Sequence, residues 1–306
     1  MLRYDDLQVF VHTSDSGSLS AAARQLEISP AVASAALKRL ESELEVRLFA
    51  RSTRSLRLTP EGDAFLLHAR ASLRSLEEGR RLLQGGKDQI AGVLQLSAPS
   101  DFGRNLLLPW LDEFQARYPQ LSLRLLLGDR VTDLYRQPVD VAIRYGAPAD
   151  SSLVALPLAP DNRRVLCAAP GYLAERGAPR PPGDRREHKC LLYQLGGRVH
   201  DRWAFQRGRR SLTLTVAGDR VCDDADVVRR WALAGKGLVY KSWLDVAEDV
   251  RAGRLRLLLP EWQGEATPMN LLCTHRAQLT RPVTLLRAFV RERCDALLAE
   301  APWTRN

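Results

Sequence analysis

The sequence predicts a multidomain chain: an all-α N-terminal module with a small β wing, a long linking helix, and a large α/β domain. Three observations predict it. Apolar residues recur at helical spacing through the first forty-odd positions. A second helical repeat runs from Pro60 to about Gln84. From Val93 onward, strand-like runs alternate with helical ones. At 306 residues the chain exceeds one ordinary domain, and its 45% hydrophobic and 26% charged residues are a globular mix.

Leu7, Phe10 and Val11 define a first helix from about Tyr4 to Ser14, broken by Gly17. Ser18 can cap a second helix, Leu19–Leu26, whose Ala21-Ala22-Ala23 run lets a neighbour approach closely. Ser29 is an N-cap candidate for a third helix, and Pro30 suits its first position because the missing N–H has no partner there. That helix runs to about Glu43 and buries Ala33, Leu37, Leu40 and Leu44. Its other face carries Ala31, Ser34, Ala35 and Lys38.

Small side chains near a helix start suit entry into a DNA major groove, about 12 Å wide. Ser34 can reach a phosphate, alanines can meet thymine methyls, and Lys38 supplies charge. The alternative is an ordinary solvated face, which would be richer in Glu and Lys. Arg47, Arg51, Arg54 and Arg57 then fall within eleven residues that hold no acid. Alternation in Ser55-Leu56-Arg57-Leu58-Thr59 suits a short ribbon with Arg51, Thr53 and Arg54 at its tip. Such a basic wing contacts phosphates and reaches the minor groove; a surface hairpin with incidental arginines is the alternative.

Bulk charge does not decide the matter. The chain carries +9, yet residues 1–60 hold eight Lys/Arg against seven Asp/Glu. Most of the excess follows residue 90, in doublets such as Arg163-Arg164 and Arg229-Arg230. In the linking helix, Leu66, Ala69, Leu73, Leu76 and Leu83 keep 3–4 spacing, interrupted by Arg80, until Gly85-Gly86.

In the α/β part, Val93–Ala98, Leu121–Leu127, Val139–Arg144, Arg164–Ala169, Ser211–Val216 and Leu238–Trp243 read as strands. Asp224–Leu233 and Asp245–Ala252 read as helices. Five cysteines stand singly, without metal-like spacing, and read as reduced, mostly buried thiols; a redox-sensing pair is the sharper alternative. No apolar run is long enough to span a bilayer. Asp5 and Asp6 stand where a signal peptide would be basic, so a cytoplasmic location is expected. The histidines do not cluster, and no GxSxG, HExxH or Gly-rich phosphate loop is present, which argues against an enzyme. No cofactor or metal is implied.

The run GSLSAAARQLEISPAVASAALKRLESELEVRLFARSTRSLRLTPEG, residues 17–62, resembles the LysR-type transcriptional regulators. The likeness lies in the Ala-Ala-x-x-Leu turn, Ser34, Leu40-Glu41, Leu48-Phe49-x-Arg51 and Leu58-Thr59-x-x-Gly62. It departs at Ala35, where Arg or Lys is common, and at Glu45, where Gly is usual. Further on, Leu96-Ser97-Ala98-Pro99, Tyr118-Pro119, Asp140 through Gly146, Pro170-Gly171-Tyr172-Leu173 and Gly235-Lys236-Gly237 resemble the family's effector domain.

The resemblance implies a winged helix-turn-helix over 1–60, with Ser29, Pro30, Ala31, Ser34, Ala35, Lys38, Arg51, Thr53 and Arg54 at the DNA. It implies a linker and dimerisation helix over 61–91 and an effector-binding domain over 92–306. That domain would have two lobes, as in periplasmic solute-binding proteins: 92–161 with 266–306, and 162–265. The chain would cross between them near Asp161 and Gly264.

A small-molecule effector, with small organic or aromatic acids as the candidate class, would sit between the lobes. Its contacts by position are Ser100, Phe102, Arg144, Tyr145, Asp223 and Lys241. Ser100 is placed to open a helix whose N-terminus favours anions, and Arg144 suits a carboxylate or an interlobe salt bridge. For Lys241 the alternative is plain exposure, usual for a strand-end lysine. Implied partners are double-stranded DNA with a dyad-symmetric site, a second copy in a dimer or tetramer, and RNA polymerase; no membrane is implied. A secreted solute-binding protein is the other reading, opposed by the N-terminal module.

Overall fold

Leu7, Phe10 and Val11 turn one face of α1 (Tyr4–Ser16) inward, and Gly17 ends it in the left-handed conformation at φ 63°. Ser18 caps α2 (Leu19–Gln25), its hydroxyl accepting from Ala21 N at 3.3 Å. Ala22 and Ala23 are fully buried, so their lack of bulk is what lets α1 and α3 (Pro30–Leu44) close on α2. Two short strands, β1 (Phe49–Arg51) and β2 (Leu56–Leu58), pair antiparallel with Phe49 opposite Leu58. α4 (Pro60–Leu83) follows. Phe10 is the hub, with the rings of Phe49 and Phe65 each 5.6 Å from it.

The computed structural model describes residues 1–51, 56–83, 90–129, 139–146, 153–179, 188–195 and 197–304. It divides into two units, Met1–Gln89 and Ile90–Asn306. The linking helix therefore belongs with the N-terminal elements. Leu66 and Ala69 are buried in the same core as Phe10, and Leu73 packs against it, whereas Leu76 is 58% exposed. The apolar stripe thus serves two ends. Its first half is internal packing, and Leu76 beyond it faces outward.

The second unit opens with β3 (Gly92–Ala98), then α5 (Ser100–Phe102), which continues through a π turn at Gly103–Leu107 into α6 (Leu108–Arg117). β4 (Leu121–Leu127), β5 (Val141–Tyr145) and β6 (Val154–Ala159) complete the outgoing part of one lobe. The other lobe holds β7 (Arg164–Ala168), α7 (Pro170–Arg176), β8 (Cys190–Leu195), β9 (Arg198–Val199), β10 (Arg202–Arg207) and β11 (Arg210–Thr215). It continues with β12 (Arg220–Cys222), α8 (Ala225–Leu233), β13 (Leu238–Ser242), α9 (Trp243–Arg251), β14 (Arg256–Leu258) and β15 (Gln263–Gly264). The chain then returns to the first lobe through β16 (Met269–Cys273) and α10 (Arg281–Ala299).

One sheet has the order β4-β3-β5-β16-β6, the other β12-β8-β13-β7-β14, with β9 beside β8; β11-β10-β15 form a small third sheet. In both large sheets the first three strands run parallel and the next pairs antiparallel. α10 covers the first lobe with Val283, Leu286, Val290 and Cys294 buried. The two chain crossings lie side by side. Asn162, fully buried, donates its amide to Ser242 Oγ at 2.9 Å and Thr267 O at 2.8 Å, and its carbonyl accepts from Thr267 N at 2.8 Å.

α3 ends at Glu45 with φ 56° and ψ 23°, a left-handed position where a Cβ is unfavourable. Glu45→Gly is expected to stabilise the N-terminal unit by about 1 kcal/mol, read as a raised denaturant midpoint at unchanged slope. A lowered midpoint would mean that Glu45 makes a contact worth more than this strain.

Candidate functional site

The face of α3 is built by its start. Ser29 Oγ accepts from Val32 N at 3.3 Å and Pro30 occupies the first turn, so the helix begins abruptly and presents its leading residues. Ala31, Val32, Ala35 and Lys38 are exposed and Ser34 is half-exposed, all ahead of the buried Ala33, Ala36, Leu37 and Leu40. Val32, half exposed, adds an apolar side chain to this face that has no signal in the sequence pattern. Arg39 does not add free charge, because its guanidinium is held by Asp6 at 2.6 and 3.2 Å, which raises its pKa.

The wing is fixed to α3 by a carboxylate. Glu41 is buried, and its Oε1 accepts from Leu48 N at 2.9 Å and Phe49 N at 3.2 Å, while Arg47 approaches Oε2 at 3.3 Å. Thr59 closes the far side, donating its hydroxyl to Arg47 O at 2.6 Å and accepting from Gly62 N at 2.9 Å. A Cβ on Gly62 would stand 2.1 Å from Leu48 O, so only glycine fits there. These contacts give the Leu40-Glu41 and Leu58-Thr59-x-x-Gly62 phrases their physical content. Arg51 ends β1 opposite Leu56. Thr53 and Arg54 lie outside the described residues.

The expected effector contacts sort into three groups. Ser100 is buried where the lobes meet: its N–H and hydroxyl both donate to Asp129, and its oxygen accepts from Ala225 N at 3.1 Å. Tyr145 also crosses, donating to Asp245 Oδ1 at 2.6 Å; burial first, then Asp245, pushes its phenol upward. Lys241 corrects the exposed strand-end expectation. It is 4% exposed, ion-paired with Asp101 across the lobes, 3.6 Å from Asp245, and donates to Ala225 O at 2.9 Å. Burial lowers its pKa, but the two acids outweigh this, so it stays charged. Burial pushes Asp101 up, with Lys241 pulling back.

The second group is Arg144, half-buried, which donates to Ser97 Oγ at 2.6 Å and Ile143 O at 2.7 Å. Both partners are in its own lobe, so it forms no interlobe salt bridge among the described residues, and burial lowers its pKa while Asp129 offsets part of that. The third group is displaced. Phe102 is fully buried in the lobe core, its ring edge-on to Trp110 at 5.7 Å, which corrects its expected place on the cleft wall. Asp223 is exposed, and it is its neighbour Asp224 that faces the other lobe, accepting from Arg104 at 2.9 and 3.1 Å. Burial would push Asp224 up, yet Arg104 and Ser100 hold it below the usual carboxylate range.

Asn105 joins the same seam, donating to Asp101 Oδ1 at 2.7 Å and Asp226 Oδ1 at 2.9 Å. Asp101, Asp129, Asp226 and Asp245 carry no sequence motif, and only their meeting in space identifies them. Among the described residues no group of His, Cys, Asp and Glu is arranged to hold a metal, and no helix is long and apolar enough to cross a membrane.

Residues 4–63 match the bacterial regulatory helix-turn-helix proteins of the LysR family, and residues 87–295 match the LysR substrate binding domain. The chain belongs to the LysR family. It is a DNA-binding transcriptional regulator with a domain for a small-molecule effector, in a family of regulators rather than enzymes whose members form oligomers. It is 32% identical over 275 residues to the HTH-type transcriptional regulator DmlR of Escherichia coli, covering 90% of this chain and 88% of that one. It is 32% identical over 283 residues to the transcriptional activator TtdR of Escherichia coli, covering 92% and 89%. CrgA, a LysR-type transcriptional regulator from Neisseria meningitidis, superposes with a TM-score of 0.59 at 30% identity over 94% of this chain and 98% of that one.

Glu41→Ala removes the acceptor of two buried N–H groups and is expected to cost the N-terminal unit about 2–3 kcal/mol, measured by chemical denaturation. A loss below about 0.5 kcal/mol would show that the wing is held by its apolar contacts alone.

Proposed function

We propose that α3 reads the operator through Ala31, Ser34, Ala35 and Lys38, with Ser29 and Pro30 setting its approach and Arg51, Thr53 and Arg54 gripping the flanking backbone. The observation that carries this is the α3 face itself: small exposed residues and one untied lysine, with Arg39 drawn back to Asp6. An ordinary solvated face would instead be richer in Glu and Lys. The stretch of α4 around the outward-facing Leu76 is the dimer seam, so that two such helices face successive major grooves of a dyad-symmetric site. The regulator works in the cytoplasm, and RNA polymerase is the partner through which it acts.

The effector is a small organic or aromatic acid bound between the lobes of residues 92–161 with 266–306 and 162–265. Support comes from Arg144, a half-buried guanidinium near the seam with no carboxylate hydrogen bond among the described residues, and from Ser100 and Tyr145, which already cross it. Lys241 and Asp223 would change partners as the lobes move.

Gel shifts on a fragment of the regulator's own upstream region test the first part. Lys38→Ala and Arg54→Ala should each weaken binding to all sequences and lower the slope of log K against log salt by about 1. An unchanged slope would remove that residue from the DNA. Thermal-shift screening of small organic and aromatic acids tests the second part. Arg144→Gln should erase the stabilisation given by any acid that raises the wild-type midpoint, and full retention of it would place the acid elsewhere.

A further inference from the structure

Asp129, in the loop after β4, is not an ordinary surface acid. Its Oδ1 accepts from Ser100 N at 2.8 Å, and its Oδ2 accepts from Ala225 N at 2.7 Å and from the Ser100 hydroxyl. Ser100 begins the helical run that continues to Arg117, and Ala225 begins the nine-residue α8 of the other lobe. Two helix starts thus point at one carboxylate, each with a positive dipole end, while the next two N–H groups of α8 are held by Asp224. Arg144 adds its field from the same lobe. Everything an incoming carboxylate needs is assembled there, and the chain fills it with an anion of its own.

We propose that Asp129 is a tethered stand-in for the effector's carboxylate, so that effector binding exchanges one carboxylate for another between Ser100 and Ala225. The arrangement explains why a cleft with so many donors lies closed: the acid that bridges the lobes arrives with the fold. It also fixes the ligand chemistry. A carboxylate restores both of the bonds that Asp129 gives up and brings the charge that two helix starts favour, which a neutral ligand does not. The tether gives Asp129 a high effective concentration, so the competing ligand must gain the rest of its affinity from contacts beyond the carboxylate. The proposal rests on the interlobe reading of the effector site, and the test separates the two.

The test uses the full chain and chemical rescue. Asp129→Ala leaves space for formate, and Asp129→Gly leaves space for acetate, so either variant can carry the result. At about ten times the dissociation constant, the matched anion should raise the variant's unfolding midpoint by about 3 °C, compared with chloride at equal ionic strength. The wild type should not respond. Adding Ala225→Pro, which removes the N–H at a helix position that tolerates proline, should abolish the rescue. Equal responses of wild type and variants, no rescue in either variant, or rescue that survives Ala225→Pro would each overturn the proposal.

Operator binding is measured on the same samples. If formate stabilises Asp129→Ala and also shifts its operator affinity, both the anion site and the effector reading stand. Rescue without any change at the operator keeps the anion site and overturns the effector reading. A change at the operator without rescue overturns the role of Asp129 and leaves the effector reading intact.

Discussion

The effector-binding domain turns on one side chain at the point where the chain passes twice between its sheets. Asn162 is fully buried and uses its amide and backbone carbonyl to join the outgoing crossing to Ser242 and to the returning Thr267. A buried amide with its partners in place is costly to disturb, because each lost bond strands a donor or acceptor away from water. The lobes are therefore fixed at this edge and can part only farther away. Trp243, whose indole donates to Leu297 O at 2.8 Å, adds a second tie near the same edge.

Away from that edge, charged pairs join the lobes beside an apolar core that both share. Lys241 and Asp101 face each other, Arg104 reaches Asp224, and Tyr145 reaches Asp245. Such pairs have little net worth once desolvation is counted, yet each group is expensive if left alone in a dry place. A seam of this kind closes with low net stability and opens only when water or a ligand takes over the partners. That balance suits the lobe movement expected of an effector-binding domain.

Much of this was legible in the sequence. Ser29 with Pro30, the alanines of α2 and the alternation of Ser55–Thr59 each encode a local rule, and α1–α4 end within a few residues of where those rules put them. β3, β4, β5, β7, β11 and β13 were equally plain, but β8 and β16, inner strands of the two large sheets, were not read. β6 escaped notice because Pro157 breaks its pattern; it is tolerated since β6 lies at a sheet edge, opposite Asn270 where the register shifts. α10 carries a clear 3–4 stripe that a search for alternating strands passes over. The cleft was the least readable part. Lys241 looks like a surface lysine until the fold brings Asp101 to it, and Phe102 looks like a cleft residue until its neighbours bury it. Local sequence has no signal for either event.

The division of α4 into a buried first half and an outward-facing Leu76 beyond it has a consequence for how such regulators diversify. Leu66 and Ala69 complete the core around Phe10, so the helix leaves the N-terminal unit at a fixed angle to α3. Everything up to about Leu73 is then a self-contained cartridge, and the helix beyond it is a ruler whose marks can be moved by inserting or deleting turns. If two copies pair along the proposed seam, editing that ruler changes the distance between paired DNA half-sites. The α3 face proposed to read each half-site need not change at all.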